Sequence, residues 1–156
     1  MDILKKKIDG ILLNYDYQEE GLLQLLLEVQ KLDSSKYISK EIGMYIADKV
    51  KMPYSQFHEV FTFFFAINQS EKGKYHIEMC DSTVCRVNKK GPIQEYLEKE
   101  LNISIGETTD DNMFTLDHAP CFGACDTSPS VRINKKVYGK LTVEKMEKIL
   151  NNLRGV

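Results

Sequence analysis

The sequence predicts an α/β protein in two parts, a helical region over residues 1–71 and an α/β domain over residues 72–156. Two observations predict this division. Apolar residues recur at helical spacing throughout the first part, where strand-like alternation is missing. After residue 71, short β-branched and aromatic runs combine with two helical patterns in the order β-α-β-β-β-α. That order is typical of a single sheet with helices packed against it.

Four amphipathic helices are expected in the first part, each carrying one apolar stripe. The stripes are Leu4, Ile8 and Ile11; Leu22, Leu25, Leu26 and Val29; Ile38, Ile42, Tyr45, Ile46 and Val50; and Phe57, Val60, Phe61 and Phe64. Pro53 is expected to open the fourth helix, because proline is tolerated in a first turn. We interpret the aromatic segment from Phe57 to Phe65 as helix core rather than as a docking surface.

The second part begins with a weakly alternating run, Tyr75 to Met79, which predicts a strand that ends at Cys80. The elements that follow are a helix from Gly91-Pro92, strands at 113–116, 131–134 and 137–139, and a last helix capped by Thr142. A further short strand is expected near Ile103 to Ile105. Together these elements complete an α/β sandwich.

Composition and charge exclude several classes of function. The formal net charge is -2 and the basic residues are scattered among acidic ones, so we expect no nucleic-acid binding. The longest apolar stretch, Val60 to Ile67, is far shorter than a membrane span, so direct membrane insertion is not expected. The N-terminal lysines precede no sustained apolar segment of the kind that a signal peptide contains. A cytoplasmic location, where thiols stay reduced, is therefore expected.

The chain's four cysteines form two close pairs, Cys80-x4-Cys85 and Cys121-x3-Cys125. Both pairs are expected in loops that follow strands, and such a pattern indicates a metal site. A zinc ion in a tetrahedral thiolate site and an iron–sulfur cluster both fit the gaps. The spacing of plant-type ferredoxins is not matched. His118 lies near one pair, and we interpret it as a supporting residue rather than as a ligand.

Residues beside the cysteines could adjust the charge and hydrogen bonding of such a site. Arg86, Lys89 and Lys90 follow Cys85 and either offset the charge of the thiolates or form a solvated loop. The hydroxyls of Ser82 and Thr83 and the backbone amides near Gly123 could donate hydrogen bonds to sulfur, which would tune a reduction potential.

Segments around the cysteines resemble the thioredoxin-like [2Fe-2S] ferredoxin family, which includes small iron–sulfur subunits of NADH dehydrogenases and of NAD-linked or electron-bifurcating hydrogenases. The matching segments are Gly73-Lys74-Tyr75, Gly106-Glu107-Thr108-Thr109, Phe114-Thr115-Leu116, Cys121-Phe122-Gly123-Ala124-Cys125, Pro129 and Leu141-Thr142. Pro53 and Thr62-Phe63 match in the helical region, so the resemblance covers nearly the whole chain. The chain departs from the family pattern at Ser82, where a glycine is usual.

The resemblance implies a thioredoxin-like [2Fe-2S] domain preceded by an N-terminal helical bundle. It implies a [2Fe-2S] cluster on Cys80, Cys85, Cys121 and Cys125, and a role as a one-electron carrier without acid, base or nucleophile. The expected partners are a flavin-containing, NADH-binding subunit and a further iron–sulfur subunit of an NAD(P)H-linked oxidoreductase.

The chain contains no G-x-G-x-x-G segment after a predicted strand, so any hydride chemistry is expected on a partner chain. The resemblance further implies that the N-terminal helices dock to the flavin subunit. NADH dehydrogenase, hydrogenase and formate dehydrogenase all remain open as the parent complex. The alternative function is a zinc-stabilised interaction domain without redox activity.

Overall fold

The computed structural model describes residues 2–15, 19–32 and 36–155, and the chain divides into two compact units, Met1–Lys72 and Gly73–Val156. In the described part of the first unit, the helices are α1 (Asp2–Asn14), α2 (Leu22–Gln30), α3 (Lys40–Lys49) and α4 (Tyr54–Phe63). This confirms the expected helical region. No helix within the described ranges is both long enough and apolar enough to cross a membrane.

The apolar stripes of the first unit meet in one core. Its fully buried side chains are Ile8, Leu12, Leu25, Leu26, Ile38, Ile46 and Phe57. Ser39 caps α3 by accepting a hydrogen bond from the Ile42 amide at 3.3 Å. Gly43 allows close packing, because a Cβ there would lie 2.9 Å from the Phe57 ring. The helix-core interpretation therefore holds for Phe57.

The same interpretation is wrong at the end of the aromatic segment. The Phe63 side chain is 79% exposed and Phe65 is 50% exposed. Phe63 lies in the last turn of α4 but off the stripe of Phe57 and Phe61, and Phe65 follows the end of the helix. Two large apolar side chains are thus presented to solvent.

The second unit is built on a four-stranded sheet with the order β2-β1-β3-β4. Its strands are β1 (Tyr75–Cys80), β2 (Phe114–Ala119), β3 (Val131–Ile133) and β4 (Lys136–Tyr138). Strands β1 and β2 are parallel, and the β1–β3 and β3–β4 pairs are antiparallel. The helices are α5 (Thr83–Val87), α6 (Lys90–Leu101) and α7 (Val143–Arg154). The expected order of strands and main helices is confirmed.

Two local expectations are wrong. Residues 103–105 form no strand, because the chain turns at Ile105 and Gly106, where Gly106 has a φ of +94° and its amide donates to the carbonyl of Leu116. The short helix α5 was not expected, and α6 begins at Lys90, one residue before Gly91. Both differences affect short segments and leave the sheet unchanged.

The sheet and its helices enclose a second apolar core. Its fully buried members include Ile77, Met79, Leu97, Leu116, Met146 and Leu150. Thr142 caps α7 by accepting a hydrogen bond from the Lys145 amide at 3.3 Å, as its position before an apolar stripe predicts. Strands β1 and β2, which run in the same direction, are therefore fixed with their carboxyl ends side by side.

Candidate metal centre

The cysteines gather at the carboxyl ends of β1 and β2. Cys80 is the last residue of β1, and Cys85 lies within α5. Cys121 lies in the loop after β2, and Cys125 begins a 3₁₀ turn that ends at Thr127. The strand that ends at Cys80 is as predicted, but the expected loop position is wrong for Cys85, because residues Thr83–Val87 form α5.

The sulfur atoms of the two pairs approach one another. The Cys121 and Cys125 Sγ atoms are 3.4 Å apart, and interactions with Cys85 and Cys121 contribute to lowering the pKa of the Cys80 thiol. The strand register explains this, because Cys80 pairs with Ala119, two residues before Cys121. All four cysteines are free thiols. The fold thus brings together side chains that are distant in sequence.

The two pairs differ in exposure. Cys80 and Cys85 are 2% and 1% exposed, whereas Cys121 and Cys125 are exposed to solvent. A group held by all four thiols would therefore have one side within the protein and the other at its surface. Such an arrangement limits the access of water to one pair and leaves the other near any protein that docks there.

The thiols influence one another's ionisation. Burial raises the pKa of Cys80, but hydrogen bonds from the Ser82 hydroxyl and amide and from Cys85 and Cys121 outweigh it and lower that pKa overall. The hydrogen bond with Cys121, followed by the charge of Cys121, raises the pKa of Cys125. Once one of these thiols has ionised, its negative charge therefore opposes the ionisation of its neighbours. A cation among the sulfur atoms would compensate that charge.

Two serine hydroxyls lie against the buried pair. The Ser82 Oγ is 3.2 Å from the Cys80 Sγ, and the Ser130 Oγ is 3.8 Å from the Cys85 Sγ. Ser82 was expected in this role from its place beside Cys80. Ser130, which is 4% exposed, was not identified from the sequence, because it is 45 residues from Cys85 and only the fold brings them together.

Two of the three basic residues after Cys85 are paired with Asp81. Arg86 donates two hydrogen bonds to the Asp81 carboxylate, at 2.7 and 3.2 Å, and the Lys90 Nζ donates a third. Arg86 and then Lys90 hold the pKa of Asp81 well below its usual range. Lys90 is 7% exposed and also lies 3.3 Å from the His118 Nε2. These residues join α6 to the ends of β1 and β2 and balance charge locally.

The four thiols are a donor set of the kind that holds a metal centre. Among residues 2–15, 19–32 and 36–155, no group of three or more His, Cys, Asp or Glu side chains is already spaced to bind a metal ion. Two thiolates on one tetrahedral metal have sulfur atoms about 3.8 Å apart when the bonds are about 2.3 Å long. The 3.4 Å separation of Cys121 and Cys125 is close to that value. Four thiols in two adjacent pairs suit a binuclear centre.

Replacing Gly139 with alanine will disturb the turn that begins at Cys125. A Cβ at Gly139 would lie 2.4 Å from the Thr127 Cβ and 2.8 Å from the Thr127 backbone oxygen, so backbone as well as side chain must move. We expect a loss of about 1–3 kcal/mol in the free energy of unfolding. Denaturant unfolding measures it.

Gly91→Ala is the matched control, because a Cβ at Gly91 meets nothing within 4 Å. This variant should be at least as stable as the wild type, since alanine is the better helix former. Equal unfolding free energies for Gly139→Ala and the wild type would contradict the predicted clash.

Comparisons with known proteins agree with this geometry. Residues 8–154 match the family model described as thioredoxin-like [2Fe-2S] ferredoxin. The chain is 38% identical to an NADH-quinone oxidoreductase subunit of Rickettsia felis over 126 residues, which cover 81% of this chain and 75% of the relative. It is 38% identical to the subunit of the same name from Buchnera aphidicola subsp. Baizongia pistaciae over 138 residues, covering 88% and 80%. In fold it is similar to a chain of an air-oxidised NAD+-reducing [NiFe]-hydrogenase, with a TM-score of 0.71 and 19% identity over 86% of this chain and 23% of that one.

Proposed function

Since the chain belongs to the thioredoxin-like [2Fe-2S] ferredoxin family, we propose that it is a one-electron carrier subunit whose cluster is bound by Cys80, Cys85, Cys121 and Cys125. A [2Fe-2S] cluster, when bound, supplies one-electron redox chemistry. The observation that carries the proposal is the convergence of four free thiols at the ends of two parallel strands.

The residues around the thiols suit this role. The buried pair, Cys80 and Cys85, is kept from bulk water by the fold. Hydroxyl groups of Ser82 and Ser130 lie where they can donate hydrogen bonds to thiolate sulfur, which stabilises the more negative state of the site. The exposed pair, Cys121 and Cys125, brings the site to the surface, where an electron can pass to a docked partner.

We further propose that the chain works beside a flavin-containing, NADH-binding subunit and another iron–sulfur subunit. The NADH-quinone oxidoreductase relatives favour a complex of the NADH-dehydrogenase type, and hydrogenase-type complexes remain the second possibility. The sequence lacks a dinucleotide fingerprint, which supports placing hydride chemistry on the partner. Free thiols at all four cysteines suit the reducing cytoplasm. The N-terminal helices are the proposed docking region.

Metal analysis tests the proposal directly. Anaerobically purified protein should be reddish brown and contain about two irons and two acid-labile sulfides per chain. Chemical reduction should produce a rhombic electron paramagnetic resonance signal of one unpaired electron. Colourless protein with one zinc per chain would reject the electron-carrier proposal and favour a zinc-stabilised interaction domain. Co-purification with identification of the bound chains tests the partner.

A further inference from the structure

We propose that Arg132, itself fixed by Glu78, positions the second ligand loop through the ring of Phe122. The second ligand loop is defined as residues 120–124, which lead from β2 to Cys125. This inference rests on the proposed function, because it takes Cys121 and Cys125 to be cluster ligands. Arg132 would be a positioning residue and would not touch the cluster.

The proposed attachment of the loop starts from an ion pair on the sheet. Glu78 on β1 and Arg132 on β3 are direct cross-strand partners. The Arg132 Nε and Nη2 donate hydrogen bonds of 2.7 and 2.6 Å to the two carboxylate oxygens of Glu78. Glu78 is 6% exposed, so its charge is compensated by the guanidinium within the protein. This bidentate pairing fixes the plane of the guanidinium group.

The second part is an aromatic ring on the loop. The Arg132 guanidinium carbon lies 5.2 Å from the centroid of the Phe122 ring, within the range of a cation–π contact. Phe122 directly follows Cys121 and is half-buried. The ring therefore connects the proposed ligand segment to a fixed charge on the sheet.

The backbone of the loop has few other attachments. Among the described residues, Cys121, Phe122 and Gly123 make no backbone hydrogen bond to another segment. Before the loop, Ala119 accepts a backbone hydrogen bond from Asp81 of another segment, and at its end Ala124 accepts one from Thr127 within the local turn. The contact between the ring and the guanidinium thus holds the middle of a loop that its backbone leaves unsupported.

A second arginine of the same unit, Arg154, makes similar contacts away from the ligand loop. Arg154 also donates to a carboxylate, that of Glu100 at 2.6 Å, and its guanidinium lies 5.9 Å from the ring of Phe114. Phe114 belongs to β2 and to the buried core of the sheet rather than to a loop. The contacts of Arg154 therefore support a strand that the sheet already fixes, and Arg154→Gln serves as the control.

Phe122→Leu tests the proposal with the Glu78–Arg132 pair left intact. We expect the holoprotein to release iron to a chelator at least about twofold faster than the wild type, followed by the decay of visible absorbance. The visible circular dichroism of the cluster should also change, because the sulfur atoms of Cys121 and Cys125 lose their fixed orientation. Phe122→Tyr should restore both properties, and Arg154→Gln should leave both unchanged.

A double variant decides whether Arg132 acts through the ring. The double variant, Phe122→Leu with Arg132→Gln, should lose iron no faster than the faster of the two single variants. A rate of iron release that equals the product of the two single-variant increases would show that the residues act independently and would overturn the proposed coupling. A Phe122→Leu protein with wild-type iron release and circular dichroism would overturn the inference while leaving the four-cysteine proposal standing.

A measurement without the cluster separates the two proposals. The backbone ¹⁵N order parameters of residues 122–124 should be lower in metal-free Phe122→Leu than in metal-free wild-type protein, because the loop loses its attachment to Arg132. Lower order parameters in a protein that takes up no cluster on reconstitution would support the loop attachment and reject the proposed function. Unchanged order parameters would reject the attachment.

Discussion

We expect replacement of Cys121 with alanine to abolish the electron paramagnetic resonance signal of the reduced protein, or to make the proposed cluster so labile that it is lost during purification. Cys121 is exposed, so removing its sulfur costs the folded chain little apolar burial. The nearby His118 is poorly placed to replace it, because its Nε2 lies 3.3 Å from the Lys90 Nζ and the Gln94 Oε1 and its Nδ1 lies 3.9 Å from the Asp81 carboxylate. The loss of the signal therefore reports ligand chemistry rather than unfolding.

Asp126→Asn is the matched control for this experiment. Asp126 is exposed, neighbours Cys125 and belongs to the same turn, but it carries no sulfur. The control should keep its iron and its signal, with at most a small change in potential from the lost charge. Far-ultraviolet circular dichroism should show the same helix content in Cys121→Ala and in the control. An unchanged spectrum in Cys121→Ala would remove Cys121 from the ligand set.

The sequence predicts the parts of this molecule that depend on local periodicity. The stripe of α3 and the strand that ends at Cys80 each follow from a pattern within a few residues, and the structure places them as expected. The short helix α5 was missed, because five residues are too few to establish a helical period. Local pattern therefore predicts the scaffold and both cysteine pairs.

The surroundings of the thiols depend on pairing between distant segments. Glu78 and Arg132 are 54 residues apart, and their contact requires the register of β1 with β3. Ser130 reaches Cys85 only after β3 has joined the sheet. No composition or spacing in the sequence specifies these contacts. The residues that would tune the site are consequently harder to predict than the residues that would form it.

A second large effect is expected at the end of α4. Phe63→Asp should prevent co-purification with the proposed flavin subunit, because Phe63 is 79% exposed and lies close in sequence to the half-exposed Phe65. Large exposed aromatic side chains of this kind are enriched where proteins bind one another. Loss of such an anchor costs about 2 kcal/mol or more, roughly a thirtyfold weakening of binding.

Leu13→Asp is the control, since Leu13 is 63% exposed on α1 of the same unit and receives the same charge. If Phe63 is an anchor rather than one of many exposed apolar side chains, only Phe63→Asp releases the partner. Both variants should retain the cluster and unfold at nearly the wild-type temperature, because neither side chain is part of a core. Wild-type recovery of the partner with Phe63→Asp would contradict docking at this position, and equal loss with Leu13→Asp would show a general effect of charge. Since the cluster signal is measured on the same samples, a failure of docking is distinguished from a failure of the metal centre.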